Sequence, residues 1–185
     1  MAPNSRKIII CGLGGQGVIF LTRLLARAAV DSGHPVMVSE THGMSQRGGS
    51  VISHLKIGGN QAPLIQPGTA DALLSLDPDE AVRNLHYLSP GAAAFVNAHS
   101  EPPPDIRPHL ERLDIRLHCL PANRIALELG NVAVANVVLA GFASRHPALG
   151  LSSDDLRRAL HTNAKRNLEL NLKALERGVG GSGGE

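Results

Sequence analysis

Apolar and polar positions along the N-terminal third of the chain predict strands and helices in alternation. The segment 6–11 is a short β-rich run, and the segment 16–32 places apolar residues at helical spacing. Two more strands are predicted at 34–40 and 50–58. In the second of these, Val51, Leu55 and Ile57 alternate with His54 and Lys56, which predicts an edge or antiparallel strand with one half-exposed face.

The same pattern continues to the C-terminus. A buried strand is predicted at 70–77, followed by a helix in which Asp77 is the N-cap and Pro78 the first residue. Residues 102–104 are all proline and predict a stiff loop. Ser152 and Ser153, followed by Asp154 and Asp155, form an N-terminal capping signal. Further strands are predicted at 92–98 and 114–120, and helices at 123–129, 132–144, 153–160 and 164–177.

This alternation predicts a three-layer α/β fold. We expect a mostly parallel, Rossmann-like sheet with helices on both faces and a helical C-terminal region. With 185 residues, of which 43% are hydrophobic, the chain has enough material for one sizeable core. We therefore expect a single α/β domain over residues 1–178 and a flexible, glycine-rich tail over 179–185.

Charge and composition argue against two classes of partner. Eighteen Lys and Arg residues against sixteen Asp and Glu give a net charge of +2, with no long basic run, and aromatic residues are only 2% of the chain. Neither a basic patch nor a base-stacking platform is indicated, so no nucleic acid is expected. No apolar run approaches the ~20 residues of a membrane span, and the first residues lack a signal-peptide core. We expect a cytoplasmic protein without membrane contact.

The cysteines and histidines do not form a recognisable metal motif. Cys11 and Cys119 each fall at the end of a predicted strand, and the favoured interpretation is two structural core thiols. An iron-sulfur cluster usually needs four thiolates. The nine histidines show no HxxxH or HExxH pair. We expect no metal site in this chain.

The segment "IIICGLGGQGV", residues 8–18, carries the first candidate site. Gly12, Gly14 and Gly17 fit GxGxxG after a predicted strand and before a predicted helix, where free backbone N–H groups and the helix dipole favour an anion. Glu40 lies 23 residues after Gly17, a placement compatible with a dinucleotide site. Alternatively, the glycines only allow close packing of strand, turn and helix.

A second candidate loop, "ETHGMSQRGGSV", covers residues 40–51. Ser45 and Arg47 are able to hold an anion beside the pair Gly48 and Gly49. Because this loop follows a strand, it should lie beside the first glycine loop at the carboxyl edge of the sheet. The alternative is an ordinary polar loop with a solvated arginine. The predicted anion-binding set is Gly12, Gly14, Gly15, Gln16, Gly17, Ser45, Arg47, Gly48 and Gly49.

These loops also carry a family resemblance. "GLGGQGV" and "ETHGMSQRGGSV", followed by "GTADALLSLDPDEAVR" and then by "NVVLAG" with "NLELNLKALERG", occur in this order over residues 7–178. Together they resemble the gamma-type subunit or domain of the 2-oxoacid:ferredoxin oxidoreductases, and among these the beta subunits of the indolepyruvate ferredoxin oxidoreductases. Several segments matched in order are more specific than one glycine motif.

The resemblance implies a multi-subunit enzyme that decarboxylates a 2-oxoacid on thiamine diphosphate, passes electrons through iron-sulfur clusters to ferredoxin, and forms an acyl-coenzyme A. This chain has no GDG segment with a downstream Asn-Asn pair. Thiamine diphosphate, magnesium and the clusters are therefore expected on a large partner subunit, with coenzyme A as a substrate. No catalytic residue is assigned here, and the isolated chain is expected to be inactive.

Some alternatives stay open from the sequence. His42 is interpreted as a loop hydrogen-bonder rather than a proton carrier, and Asn171 as a buried amide on the last helix. Asp71 either orients a group in the cleft or pairs at the start of a strand. Two other functions remain possible: a free-standing NAD(P)-dependent oxidoreductase that uses Glu40, and a non-catalytic anion-binding or interaction module.

Overall fold

The structure is a computed structural model that describes residues 5–42, 49–59, 62–99, 104–163 and 167–181. Its centre is a six-stranded sheet with the strand order β2-β3-β1-β4-β5-β6. The strands are β1 (Arg6–Leu13), β2 (Val36–His42), β3 (Ser50–Ile57), β4 (Ala70–Ser75), β5 (Leu88–Asn97) and β6 (Arg116–Leu120).

Five of the six strands run in one direction. β1, β4, β5 and β6 form parallel pairs, whereas β3 is antiparallel to both of its neighbours, β1 and β2. β2 consequently runs parallel to β1 although it is separated from β1 by β3. The prediction of a mostly parallel sheet is confirmed.

Helices cover both faces of this sheet. They are α1 (Val18–Asp31), α2 (Pro78–Asn84), α3 (Arg107–Arg112), α4 (Ala122–Glu128), α5 (Ala135–Ala143), α6 (Ser153–Asn163) and α7 (Leu168–Val179). One apolar cluster joins the sheet to α1 and α4–α7, with Ile10 and Phe95 among its strand residues. A second cluster joins the opposite sheet face to α2 and α3, with Ile9 and Val96. The three-layer α/β fold is confirmed.

The position of β3 corrects one prediction. β3 is antiparallel, as expected, but it lies inside the sheet, and its polar residues are buried: His54 is 3% exposed and Lys56 is 6% exposed. The chain after β3 folds back over them. Lys56 Nζ donates to the Ala62 carbonyl at 2.7 Å, and Ile65 N–H donates to His54 Nδ1 at 3.2 Å. His54 and Lys56 therefore hydrogen-bond to backbone groups instead of facing water.

The capping residues predicted for α2 and α6 are confirmed, whereas the short helix α3 was not predicted. Asp77 Oδ1 accepts from the N–H groups of Asp79 and Glu80 at the start of α2. Ser152 and Asp155 exchange hydrogen bonds at the start of α6. The stiff loop predicted at 102–104 lies mostly outside the described residues. After it come a 3₁₀ turn, Pro104–Ile106, and α3, neither of which was predicted. Leu110 is the only buried residue of α3, too little to create a helical period in the sequence.

Candidate functional site

The glycine loop connects β1 to α1 and is closed by its own glutamine. Gln16 Oε1 accepts from Leu13 N–H at 2.7 Å, and Gln16 N–H donates to the Leu13 carbonyl at 3.2 Å. Gly15 and Gly17 have φ angles of 92° and 88°, in the left-handed region that glycine adopts without strain. The loop is thus a tight turn held by a side chain within the predicted set.

The N-terminus of α1 opens directly from this turn. Its N-cap, Gly17, has no side chain to accept from the first-turn N–H groups, and the first turn contains no acidic residue. The partial positive charge of the helix end is therefore not offset by a carboxylate of its own first turn. This helix end is suited to an anionic group.

Asn136, at the start of α5, fixes the turn from the other side. Its Nδ2 donates to the Gly17 carbonyl at 3.3 Å, and its Oδ1 accepts from Val137 N–H at 2.8 Å. The side chain is 4% exposed. Asn136 was not predicted as a site residue. The sequence feature that could have indicated it is a single amide within an apolar helical run.

The second loop returns to the first, as its position after β2 predicts. Gly14 N–H donates to the Gly49 carbonyl at 2.9 Å, and Leu13 pairs with Ser50 at the start of β3. Ser45, Arg47 and Gly48 lie outside the described residues, as does the side chain of His42. Anion binding by this set remains a prediction.

A buried carboxylate ties the start of β3 to α2. Glu80 is 1% exposed; its Oε2 accepts from Ser50 Oγ at 2.5 Å, and its Oε1 pairs with Arg83 at 2.8 Å. Cys11 lies beside this group, with its Sγ donating to Ser75 Oγ at 3.3 Å. Burial, followed by the negative charge of Glu80, raises the pKa of the Cys11 thiol to about 12. Cys11 is therefore a protonated core thiol.

A cavity of about 530 Å³ adjoins the glycine loop at the carboxyl ends of β5 and β6. Its wall is mostly apolar, and Gln16 lines it together with Asp77, Asn97 and Asn123. Asn97 joins three elements, since its Nδ2 donates to the Leu76 carbonyl and its Oδ1 accepts from Asn123 N–H, both at 3.1 Å. None of the described lining residues is Lys or Arg. The described wall therefore offers an anion no lysine or arginine, whereas the end of α1 carries a partial positive charge.

Glu40 does not lie where a dinucleotide site requires it. It pairs with Ser53 of β3, which in turn pairs with Ile10 of β1, three residues before the end of that strand. β3 lies between β2 and β1, so the backbone of Glu40 is two strand spacings, about 10 Å, from that of β1. The inserted β3 removes the ribose partner on which the NAD(P) interpretation depends.

The other singled-out residues have structural roles. Asp71 Oδ2 accepts from Lys7 N–H at 2.8 Å at the amino edge of the sheet, away from the glycine loop. Asn171 is buried on α7. Cys119 is half-buried and lines the cavity of about 530 Å³ beside the glycine loop. Within the described ranges, no three His, Cys, Asp or Glu residues are grouped as metal ligands, and no helix is long and apolar enough to cross a membrane.

The mostly parallel sheet has helices on both faces and a glycine loop between its first strand and first helix. These features place the protein in the class of Rossmann-like α/β domains. The chain belongs to the pyruvate ferredoxin/flavodoxin oxidoreductase family, which matches residues 7–180.

Relatives of nearly the same length support this membership. The indolepyruvate oxidoreductase subunit IorB of Thermococcus kodakarensis is 34% identical over 189 residues, which cover 94% of this chain and 94% of the relative. The IorB subunit of Pyrococcus horikoshii is 35% identical with the same coverage of both chains. The keto/oxoacid ferredoxin oxidoreductase gamma subunit of Geobacter sulfurreducens has the same fold, with a TM-score of 0.73, 24% identity, and coverage of 94% and 95%.

Proposed function

We propose that this chain is the non-thiamine subunit of a 2-oxoacid:ferredoxin oxidoreductase of the indolepyruvate or arylpyruvate type. The observation that carries the proposal is 34–35% identity to indolepyruvate oxidoreductase subunits across 94% of both chains. The assembled enzyme converts a 2-oxoacid, coenzyme A and two oxidised ferredoxins into an acyl-coenzyme A, carbon dioxide, two reduced ferredoxins and a proton. As part of the same proposal, the complex works in the cytoplasm.

The cofactors are assigned to a large partner subunit. The chain has two cysteines where a cubane cluster uses four thiolates. One of them, Cys11, is buried and hydrogen-bonded, with its pKa raised to about 12, so it is unsuited to act as a thiolate ligand. Iron-sulfur clusters, thiamine diphosphate and magnesium are therefore proposed to be bound by the partner, which also passes electrons to ferredoxin.

The glycine loops are this chain's proposed contribution to the shared site. The uncapped end of α1, beside Gly14 and Gly49, receives an anionic group of coenzyme A or of the 2-oxoacid, with Ser45 and Arg47 completing the binding set. Both ligands carry the required negative charge. The apparent KM values for coenzyme A and for the 2-oxoacid, measured separately in an Arg47 variant, distinguish the two ligands.

Affinity purification of the tagged chain from its native host tests the proposal. We expect a large chain to copurify together with thiamine diphosphate and iron, in amounts proportional to that chain. Purified alone, the tagged subunit should be colourless, without iron-sulfur absorbance. A tagged chain recovered without a thiamine-bearing partner would contradict the proposal, and saturable micromolar NADH binding would favour the NAD(P) alternative.

A further inference from the structure

A second cavity lies at the amino edge of the sheet, opposite the glycine loop. Its volume is about 280 Å³. It forms where β5 leaves its ladder with β4: Ala70 pairs with Leu88, but Ala72 pairs with Ala93, so β5 takes five residue steps where β4 takes two. The residues between the two paired positions of β5, Ser89 to Ala92, form part of the cavity wall. This cavity is separate from the site proposed above.

Basic side chains from three parts of the chain line this cavity. Arg6 is the first residue of β1, Arg116 is the first residue of β6, and His146 precedes the 3₁₀ turn Pro147–Leu149. Asp71 is the acidic residue among those lining the cavity, and its Oδ2 already accepts from Lys7 N–H. The guanidinium groups of Arg6 and Arg116 outnumber the single carboxylate of Asp71, so the lining residues carry a net positive charge.

Arg6 contributes an unsatisfied donor. Its Nε is buried and has no hydrogen-bond partner among the described residues, whereas Nη1 donates to the Ser5 carbonyl at 3.3 Å. The side chain is held in place against Gly150, where an added Cβ would lie 2.7 Å from Arg6 Cγ. The buried Nε faces Gly150, so the Arg6 guanidinium is held at this edge of the sheet and contributes its positive charge to the cavity that Arg6 lines.

His146 supplies a further donor at the same cavity. Its Nδ1 accepts from Ala148 N–H at 3.4 Å, so in the neutral ring the proton is on Nε2. The ring packs against Phe95 and His118, with centroid distances of 5.5 and 5.0 Å. Burial, followed by the positive charge of Arg116, lowers the pKa of His146. An anion in the cavity would act in the opposite direction and raise that pKa.

We propose that this cavity binds a compact oxyanion, a phosphate group or a small carboxylate, held by Arg6, Arg116 and His146. The guanidinium groups supply charge-assisted donors, and the cavity volume accommodates a small phosphorylated or carboxylated molecule. The site is independent of the assignment of this chain to an oxidoreductase complex.

NMR of the His146 ring in the purified chain tests the site. Inorganic phosphate and acetate are titrated separately at constant ionic strength set with sodium chloride, and His146→Gln identifies the resonance. We expect saturable shifts with at least one probe and a rise in the pKa of His146 when that probe is bound. Tighter binding of phosphate assigns the site to phosphorylated ligands, and tighter binding of acetate assigns it to carboxylates. Failure of both probes to saturate would overturn the proposal.

Substitution of Arg116 provides the matched comparison. Arg116 is exposed, so Arg116→Gln should leave thermal unfolding unchanged. It should weaken binding of the probe roughly tenfold or more through loss of a charge-assisted hydrogen bond, and raise the pKa of His146 in the absence of the probe. Arg124→Gln, at an exposed position of α4, is the control and should bind like the wild type. Equal binding by the Arg116 and Arg124 variants would show a general ionic effect and overturn the proposal.

Discussion

Gly15 and Gly17 have the same backbone conformation but different surroundings. Both have φ near 90°. A Cβ at Gly15 would meet nothing within 4 Å, whereas a Cβ at Gly17 would lie 2.2 Å from Asn136 Nδ2. Asn136 is buried and bonded at both ends of its amide, so it has little freedom to move away. Substitutions at the two glycines therefore measure separately the free-energy cost of a left-handed backbone and that of packing against α5.

Alanine substitution at these two positions gives the first prediction. Gly15→Ala should reduce the free energy of unfolding by about 1 to 2 kcal/mol because of the left-handed backbone alone. Gly17→Ala should lose roughly 1 to 3 kcal/mol more through overpacking against Asn136. Urea unfolding of both variants measures the difference. Equal losses would show that Asn136 yields easily and that the contact does not fix the turn.

The glycine loop could be predicted from the sequence, but the residues that support it could not. Gly12 to Gly17 follow an apolar run and precede a helical period, which are local signals. Asn136 and Glu80 reach the site from elements distant in the chain, and nothing in the sequence around them shows which turn they contact. For Asn136 the detectable signal was a single amide within an apolar helical run; for Glu80, on a mostly polar helix, there was none.

At the scale of elements, the pattern predicted strands and helices but not the place of β3. The alternation of His54 and Lys56 with apolar residues is the same for an edge strand and for an inner strand whose second face is covered by chain. What decides between them is the backbone of residues 62–65, which accepts from Lys56 and donates to His54. Such pairing is a tertiary contact and overrides the local pattern.

His54 makes the stability of this region depend on pH. Burial, followed by the positive charge of Lys56, lowers the pKa of His54 below its ordinary value of 6.5. The folded chain then binds fewer protons than the unfolded chain. The free energy of unfolding should therefore fall as the pH drops below 6.5 and level off once the pH is below the pKa of folded His54.

Urea unfolding at a series of pH values measures this dependence. His54→Gln cannot titrate and should show a shallower fall between pH 6.5 and the acid limit. The slope that remains includes His146, whose pKa is also lowered, so His146→Gln serves as the comparison. Identical slopes in the wild type and His54→Gln would show that the imidazole is not held neutral by β3 and the covering chain.

At the scale of the whole molecule, two opposite edges of one sheet carry different chemistry. The carboxyl edge combines an uncapped helix end with an apolar cavity, and the amino edge has a basic cavity. The inserted antiparallel β3 separates Glu40 from the glycine loop, so Glu40 does not lie at the position that binds the ribose in a dinucleotide site. Under the proposed function, the carboxyl edge binds an anionic group and the large partner subunit supplies the reacting chemistry.

Arg47 provides the prediction for the shared site. Arg47→Ala should leave the free energy of unfolding within ~0.5 kcal/mol of the wild-type value, as expected for an arginine that the sequence predicts to lie in a loop. In the assembled enzyme, loss of a charge-assisted hydrogen bond of roughly 1.5 to 3 kcal/mol should raise the apparent KM for coenzyme A or for the 2-oxoacid about ten- to a hundredfold. Steady-state kinetics with each substrate varied in turn identifies the ligand, and Arg124→Ala is the control.

Two other outcomes for Arg47 are informative. Unchanged constants for both substrates, with normal association of the subunits, would remove Arg47 from the ligand site. Failure of the subunits to associate would move Arg47 to the interface with the partner.

Reconstitution of the oxidoreductase tests the central claim most directly. The large thiamine-bearing subunit is prepared without this chain, and ferredoxin reduction is followed with indolepyruvate and coenzyme A, with and without the added chain. We expect acyl-coenzyme A formation and ferredoxin reduction only when both subunits are present, and neither reaction with this chain alone. Full activity of the large subunit by itself, or no gain when this chain is added to a competent partner, would contradict its assignment as a subunit of that enzyme.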